Sequence, residues 1–407
     1  MFHATEVLPH NEVCQRLERC RRLLSRMCPE AGGILVFART SIYHLTGSMG
    51  NGMLWVPLTG EPVLMVRKGA ERCRLESPLR HIYSFTSYGE VAALCAEAGS
   101  PLTPVAAAEM MSLPWSLATL MQSRLPDIRF LAGDAALARC RSVKTPWELE
   151  KMRISTRKHA RALHEILPRH IRPGMTERDI AHAIWDVFFA QGHMGMMRMG
   201  HHGEEIFLGR IAAGDNGHYP VHGNGPVGTR GEHPALPFMG YAGSVWREKT
   251  LLMLDTGFVH EGYLSDMSVT WWAGSPSSVP DAVQRAHACC VDVLHTAAEG
   301  LRPGQRPAQL WKDAVAQAAD AGFSEGFMGL GGNKVRFLGH GIGLCVDEWP
   351  AMAEGMDAPL EENMTLALEP KIGLPGLGMV GVEEVFVVTP QGGRCITGDN
   401  TALRCTG

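Results

Sequence analysis

Acidic residues close a pair of apolar, strand-like segments in the second half of this chain, and this pattern constrains the fold most strongly. Asp255 follows the apolar run 251–254, and a Gly-containing turn leads to Asp266 on the returning segment. If the turn is centred between His260 and Glu261, the two aspartates face each other at about 5 Å, where carboxylates repel unless positive charge intervenes. Two solvated acids flanking a turn are the alternative. The apolar run weakens it, because a buried carboxylate without a partner is costly.

A second pair of acids repeats this design about a hundred residues later. Glu369 closes another apolar segment, and Glu383 lies on the segment that returns after a loop centred on Gly376. Pro370 restricts Glu369 to extended geometry, which fixes the direction of its carboxylate. Glu384 follows Glu383 directly and should point to the opposite face of the strand. Surface glutamates at strand ends remain the alternative for this pair alone.

A histidine flanked by glycines supplies a donor of a different kind. His340 lies in the motif Gly-His-Gly-Ile-Gly, and glycines on both sides let the backbone approach a bound group closely. Alone it could equally be a histidine of the core. Together with four carboxylates it completes a donor set suited to two divalent ions of the Mn, Fe, Co or Zn type.

Composition and charge exclude several classes of partner. The 407 residues include 38 Lys and Arg against 42 Asp and Glu, a formal net charge of −4. Such a chain has no general positive field for nucleic acid or anionic membranes, so we expect neither as a partner. No apolar run approaches the ~20 residues of a membrane span. Eleven scattered cysteines favour reduced thiols, and we therefore expect a cytoplasmic protein.

Local signals outline the organisation of the chain. Helical spacing after Asn11, as a plausible N-cap, predicts an amphipathic helix, and the β-type run 33–38 follows. Turn residues at 59–62 predict a hairpin. A proline just after Lys144 suits the start of another helix. We place a boundary here, giving an N-terminal domain of residues 1–143 and a C-terminal domain of residues 144–407.

The C-terminal part alternates helices and strands. Predicted helices cover residues near 176–191 and 280–299, and a Gly-, Pro- and His-rich segment, 214–248, reads as a long loop of the kind that is often functional. Strands are predicted over four segments: 250–258, 264–272, 365–369 and 381–389.

These motifs, in this order, resemble the pita-bread metallohydrolases: methionine aminopeptidase, aminopeptidase P, prolidase and the metal-free creatinase. The resemblance rests on Asp255-Thr-Gly with Asp266 eleven residues later, the glycine-flanked His340, Glu369-Pro, and Gly-Val-Glu383. It covers about residues 147–395. It implies an α/β (α+β) chain, with a C-terminal pita-bread domain and a smaller creatinase/prolidase-like N-terminal domain.

The resemblance also implies roles for these residues. Asp255 would bind one of two metal ions, Asp266 and Glu383 would bridge both, and His340 and Glu369 would hold the second. Glu369 would also serve as the base for the attacking water. Because all five ligand positions are filled, the site differs from that of a metal-free creatinase. Prolidase-like relatives further suggest a homodimer.

Three positions depart from the family pattern. Asp347 stands where these peptidases carry a substrate-contacting histidine, and a carboxylate can donate a proton there only when it is protonated. Val269 replaces the usual arginine. The upstream proton-shuttling histidine is best matched by His222, with His218 and His233 as rivals. We predict His222, Glu369 and Asp347 as catalytic residues.

The sequence therefore supports a dinuclear metallohydrolase, an aminopeptidase or dipeptidase of the Xaa-Pro type that acts on short peptides. The departures at Asp347 and Val269 favour an alternative, in which the same fold and metals act on a small non-peptide metabolite as an amide or amidine hydrolase or a lyase. A non-catalytic binding protein is the third possibility, and the five retained ligand types count against it.

Overall fold

The computed structural model describes residues 3–200, 204–220, 223–237 and 239–407. The chain divides into two compact units, Met1–Arg141 and Ser142–Gly407. Our sequence-based boundary between residues 143 and 144 lies close to this division. Within the described residues, no helix combines the length and the apolar character needed to cross a membrane.

The N-terminal unit is built around a six-stranded sheet in the order β4-β3-β2-β1-β5-β6. The hairpin predicted at 59–62 is confirmed, because β2 and β3 pair antiparallel on either side of it. The first helix begins at His10 with Pro9 as N-cap, so the prediction that Asn11 caps it is wrong; Pro9 is still extended, and Asn11 already lies in the first turn. The strands are β1 Gly33–Val36, β2 Gly52–Pro57, β3 Val63–Val66, β4 His81–Ser84, β5 Val105–Ala108 and β6 Arg129–Ala132, and the helices are α1 His10–Met27, α2 Arg39–Thr46, α3 Ala70–Glu76, α4 Val91–Glu97, α5 Trp115–Arg124 and α6 Asp134–Ser142.

The C-terminal unit combines a four-stranded sheet, β17-β9-β8-β7, a five-stranded sheet, β11-β10-β12-β15-β16, and the hairpin β13-β14. Its helices are α7 Pro146–Arg161, α8 Glu177–Ala190, α9 Asp281–Glu299 and α10 Pro307–Asp320. Its strands are β7 Gly209–Ala213, β8 Leu251–His260, β9 Tyr263–Trp272, β10 Phe337–Gly341, β11 Glu348–Ala353, β12 Thr365–Leu368, β13 Lys371–Leu374, β14 Gly378–Gly381, β15 Glu384–Thr389, β16 Gly392–Cys395 and β17 Arg404–Cys405.

Helices cover both parts of this unit. Apolar residues of α9 and α10 form one buried cluster with residues of β10 to β15, and residues of α7 and α8 take part in a second cluster with β7, β8 and β9. The mixed α/β class predicted from the sequence is confirmed. The start of α7 is also confirmed, since Thr145 caps it, Pro146 occupies its first position, and Glu148 completes a capping box.

The β8–β9 hairpin differs from our prediction by one residue. Glu261 and Gly262 form the turn with φ of 49° and 84°, and His260 pairs with Tyr263. A two-residue turn with both central residues at positive φ is the type I′ geometry that matches the strand twist. Asp255 therefore lies opposite Ser268 rather than opposite Asp266, so the predicted direct pairing is wrong. The two aspartates are diagonal neighbours on one face, still within reach of a shared ligand.

The predicted strand 381–389 is interrupted at its beginning. Strand β14 ends at Gly381 and pairs with β13, whereas β15 begins at Glu384 and pairs with β12. The chain thus changes partner strand across residues 382–383. Glu383 lies in this short passage, where it forms an isolated antiparallel bridge with Ser268 of β9. This passage places Glu383 next to β9, the strand that carries Asp266.

Candidate metal centre

The five predicted ligands converge from separate segments of the chain. Ligand atoms of Asp266, His340 and Glu383 all lie within 4.8 Å of one another, and we call these residues the Asp266 set. Ligand atoms of Asp255, Glu369 and Glu383 meet the same limit, and we call them the Asp255 set. Glu383 belongs to both sets. The structure therefore forms one continuous cluster from residues more than a hundred positions apart.

Strand pairing places each of these side chains. Strand β10 pairs antiparallel with β12, with His340 opposite Ala367. The chain continues from β12 into Glu369, whose backbone amide donates to the carbonyl of Leu338 at 2.9 Å. Ser268 donates its hydroxyl to Glu383 Oε2 at 2.7 Å. These contacts hold His340, Glu369 and Glu383 at fixed positions relative to the β8–β9 hairpin.

Burial and mutual repulsion act on the carboxylates. Asp266 is 7% exposed and Glu383 is 1% exposed. Burial, followed by the charges of Glu383, Asp255 and Glu369, raises the pKa of Asp266 well above its usual value. Burial likewise raises the pKa of Glu383 to about 7, with repulsion from Glu369 and Asp255 adding to it. A divalent cation would relieve both penalties, so the chemistry of the Asp266 set fits a bound metal ion.

His340 completes that set with a nitrogen donor. Its Nε2 atom lies 4.0 Å from Asp266 Oδ2 and 3.5 Å from Glu369 Oε1. Its Nδ1 atom lies 3.2 Å from the carbonyl oxygen of Gly341. A proton on Nδ1 donated to that carbonyl leaves the lone pair of Nε2 directed at the acids, as a metal ligand requires. Glu369 thus borders both sets, which agrees with its placement beside His340 in the resemblance.

Lys371 is the residue that sequence reasoning missed. Its ammonium Nζ lies 2.6 Å from Glu369 Oε2, 3.0 Å from Glu383 Oε2 and 3.5 Å from Asp255 Oδ2. These are the three carboxylates of the Asp255 set. The sequence held a usable signal, because residues two apart in extended backbone share a face, and Lys371 lies two residues after Glu369.

The charge state of Lys371 follows from its neighbours. The side chain is completely buried, and burial alone would lower its pKa. The carboxylates of Asp255, Glu369 and Glu383 outweigh this effect and raise the pKa of Lys371 well above its usual value. Lys371 is therefore an ammonium ion inside the cluster.

Of the remaining predicted catalytic residues, Asp347 belongs to neither set. Asp347 lies between β10 and β11, where its Oδ1 atom accepts a hydrogen bond from the backbone amide of Gly200. His222 lies outside the described residues. Its rival His218 is buried, with Nδ1 3.2 Å from Asp215 Oδ1.

Two further predicted positions have identifiable roles in the fold. His233 is exposed and accepts a hydrogen bond from the amide of Ala235 through Nδ1. Val269 is buried in β9, opposite Leu254 of β8. Glu384 points away from the acid cluster, as predicted from its adjacency to Glu383, and its Oε2 atom lies 3.7 Å from Cys395 Sγ.

Two protein-family models match this chain. The family model described as "Metallopeptidase family M24" matches residues 150–390, and the model described as "Creatinase/Prolidase N-terminal domain" matches residues 16–143. A probable dipeptidase PepE from Mycobacterium bovis is 31% identical over 306 residues, which is 75% of this chain and 70% of that protein. An Xaa-Pro dipeptidase from Lactobacillus helveticus is 30% identical over 271 residues, covering 66% of this chain and 63% of that protein.

Solved structures extend the likeness over almost the whole chain. The crystal structure of dipeptidase PepE from Mycobacterium ulcerans superposes with a TM-score of 0.77 at 23% identity and covers 98% of this chain and 99% of the other. This likeness establishes the shared two-part fold, and the sequence relatives carry the inference about chemistry.

Proposed function

Because this chain belongs to metallopeptidase family M24 and is a metallohydrolase, we propose that it hydrolyses short peptides of the Xaa-Pro type. The observation that carries the proposal is the convergence of Asp255, Asp266, His340, Glu369 and Glu383 into one buried cluster. Relatives named dipeptidase and Xaa-Pro dipeptidase support the substrate class. These names favour the peptidase over the small-metabolite enzyme that the sequence left open.

We propose these five residues as the ligands of the metal centre, with Mn, Co, Zn or Fe as the divalent ion. Manganese is the first choice because carboxylate oxygens dominate the donor set. The sequence pattern predicts two ions, and the ammonium of Lys371 lies among the carboxylates of the Asp255 set, which would hold one of them. We further propose a cytoplasmic homodimer. The free state of all eleven cysteines supports a reducing compartment.

Residues of the chain would orient the reacting groups and accept the proton of the attacking water. A divalent ion in such a site activates water and polarises the carbonyl group of the substrate. Glu369 can accept the proton of the attacking water on Oε1, because Lys371 already holds Oε2. Ser268 fixes the direction of the Glu383 carboxylate. We also propose His222 and Asp347 as substrate contacts, and the hydrogen bond from Gly200 fixes the position of the Asp347 carboxylate.

The test is an assay of the full chain, first stripped of metal and then loaded with each of the four ions. We expect turnover of Xaa-Pro dipeptides or tripeptides only in a metal-loaded form, and at least about tenfold slower turnover when alanine replaces the proline, since a shaped pocket discriminates by this order. A metal-loaded protein that is inactive on a broad Xaa-Pro panel would reject the peptidase proposal.

A further inference from the structure

The three carboxylates of the Asp255 set already contact a cation of the chain itself, the ammonium of Lys371. We propose that the ammonium of Lys371 takes the place of one of the two metal ions that the ligand pattern predicts, so that each chain binds a single divalent ion on the Asp266 set. This inference rests on the proposed function, because it specifies how many ions the metal centre holds.

Distances place the ammonium where an ion on the Asp255 set would bind. A divalent transition ion lies about 2.0–2.2 Å from each carboxylate oxygen that it binds. Nζ of Lys371 lies 2.6 Å from Glu369 Oε2 and 3.0 Å from Glu383 Oε2, so it is already bonded to oxygens that such an ion needs. Two positive charges cannot share those oxygens without strong repulsion at such short range.

The side chain of Lys371 has no inexpensive way to leave. Its backbone is fixed in the β13–β14 hairpin, where it pairs with Gly381. A Cβ added to Gly381 would lie 2.5 Å from Lys371 Cγ, so the backbone of β14 packs closely against the aliphatic part of the Lys371 side chain. The side chain is completely buried. If the ammonium moved away from Glu369 and Glu383, it would remain buried but would lose its ionic partners, which is costly.

Charge balance does not require a second ion. The cluster has four carboxylates, those of Asp255, Asp266, Glu369 and Glu383, and one ammonium. With one divalent ion the cluster retains a single negative charge. With two divalent ions and the ammonium it would carry a single positive charge, so a second ion would not reduce the net charge that is buried.

Lys371 contacts the Asp266 set through Glu383, which both sets share, at 3.0 Å. Among the residues that the structure describes, no lysine or arginine nitrogen lies within 4.0 Å of the Asp266 carboxylate, whose nearest basic atom is Nε2 of His340. A neutral imidazole is a ligand for a metal ion rather than a rival to it. The ion should therefore occupy the space between Asp266, His340 and Glu383.

The experiment counts manganese ions per chain. The metal-free full-length protein is titrated with Mn²⁺ by calorimetry, and metal content after dialysis is measured by mass spectrometry. We expect one ion per chain in the wild type and two in Lys371→Met, which removes the charge but keeps much of the length. Lys371→Arg should retain one ion. Lys144→Met is a matched control, because Lys144 is also buried and ion-paired, to Glu348 at 3.1 Å, and it should also leave one ion.

The outcomes separate the two proposals. Two ions in the wild type would overturn the inference and leave the metallohydrolase intact. One ion in a folded Lys371→Met variant would also overturn it, because the ammonium would then not be what excludes the second ion. A wild type that binds none of the four ions would reject the proposed function itself. If Lys371→Met does not fold, as judged by circular dichroism, the wild-type count alone decides.

Discussion

The two ligand sets of this centre share Glu383 and use similar side chains, yet they have different companions. The Asp266 set includes His340, whose Nε2 atom is a potential ligand, whereas all three carboxylates of the Asp255 set contact the ammonium of Lys371. The difference shows that acids at strand ends do not by themselves specify how many ions a site holds. A basic side chain from another hairpin, here Lys371 of β13–β14, can neutralise part of the cluster before any metal binds.

The residue common to both sets should give the largest effect. Glu383→Gln keeps the shape of the side chain but removes the charge that both halves of the cluster use. We expect loss of the bound ion and a fall in kcat/KM on the order of 10³-fold, because the metal supplies several kcal/mol of transition-state stabilisation. Metal content and steady-state kinetics measure the change.

Glu384→Gln is the matched control for that variant. Glu384 is also buried and adjacent in sequence, but it faces Cys395 rather than the acid cluster. It should keep its metal and nearly all of its activity. Equal losses in the two variants would show that folding, rather than ligation, accounts for the effect of Glu383→Gln.

The second prediction separates the two sets directly. Asp266→Ala should abolish metal binding, because it removes a ligand of the only set that we assign an ion. Asp255→Ala should leave one ion bound and weaken it by about 10- to 100-fold, as loss of an outer partner usually does. Calorimetric titration with Mn²⁺ measures both. If the two variants lose metal to the same extent, the two sets do not have the unequal roles that we assign to them.

The third prediction concerns the support of the shared glutamate. Ser268→Ala removes the hydroxyl that donates to Glu383 Oε2 at 2.7 Å, and we expect the affinity for the metal to fall about tenfold. Ser265→Ala is the control from the same strand. Ser265 lies on the opposite face of β9, where its hydroxyl is 3.0 Å from His159 Nδ1. An unchanged affinity in Ser268→Ala, or an equal loss in Ser265→Ala, would show that Ser268 does not support metal binding through Glu383.

We expect the smallest effect from His159, which lies on the Ser265 side of β9. This effect is on the stability of the fold rather than on metal binding. His159 is completely buried, between Ser265 and Thr256, and burial lowers its pKa well below the usual value. Below about pH 6.5 the unfolded chain binds a proton that the folded chain does not. The free energy of unfolding should therefore fall as pH decreases, by about 1.4 kcal/mol per pH unit from this group.

His159→Gln tests this contribution because glutamine keeps hydrogen-bonding capacity but does not titrate. Denaturant unfolding at pH 7, 6 and 5 should show a shallower dependence on pH in the variant than in the wild type. Parallel curves for the two proteins would mean that His159 does not contribute to the pH dependence.

Local signals made much of the fold predictable. The start of α7 could be read from Thr145, Pro146 and Glu148, because capping depends on neighbouring residues only. The β12 strand and the position of Glu369 after it also followed from a short apolar run closed by a proline. In each case the deciding interactions lie within a few residues of one another.

Other features depended on contacts that the local sequence does not specify. The β8–β9 register turned on positive φ at Glu261, a residue with no special preference for it, and one position of shift changed the partner of Asp255. The interruption before Glu384 arose because β14 and β15 pair with different strands. Lys371 became part of the centre only when three carboxylates from distant segments were brought around it.

A crystal structure of the manganese-loaded wild type, with anomalous scattering used to locate the metal, tests the central claim most directly. We predict a single anomalous peak per chain, between Asp266, His340 and Glu383, with Lys371 Nζ still bonded to Glu369. Two fully occupied peaks, with the Lys371 side chain displaced from the Asp255 set, would contradict the claim.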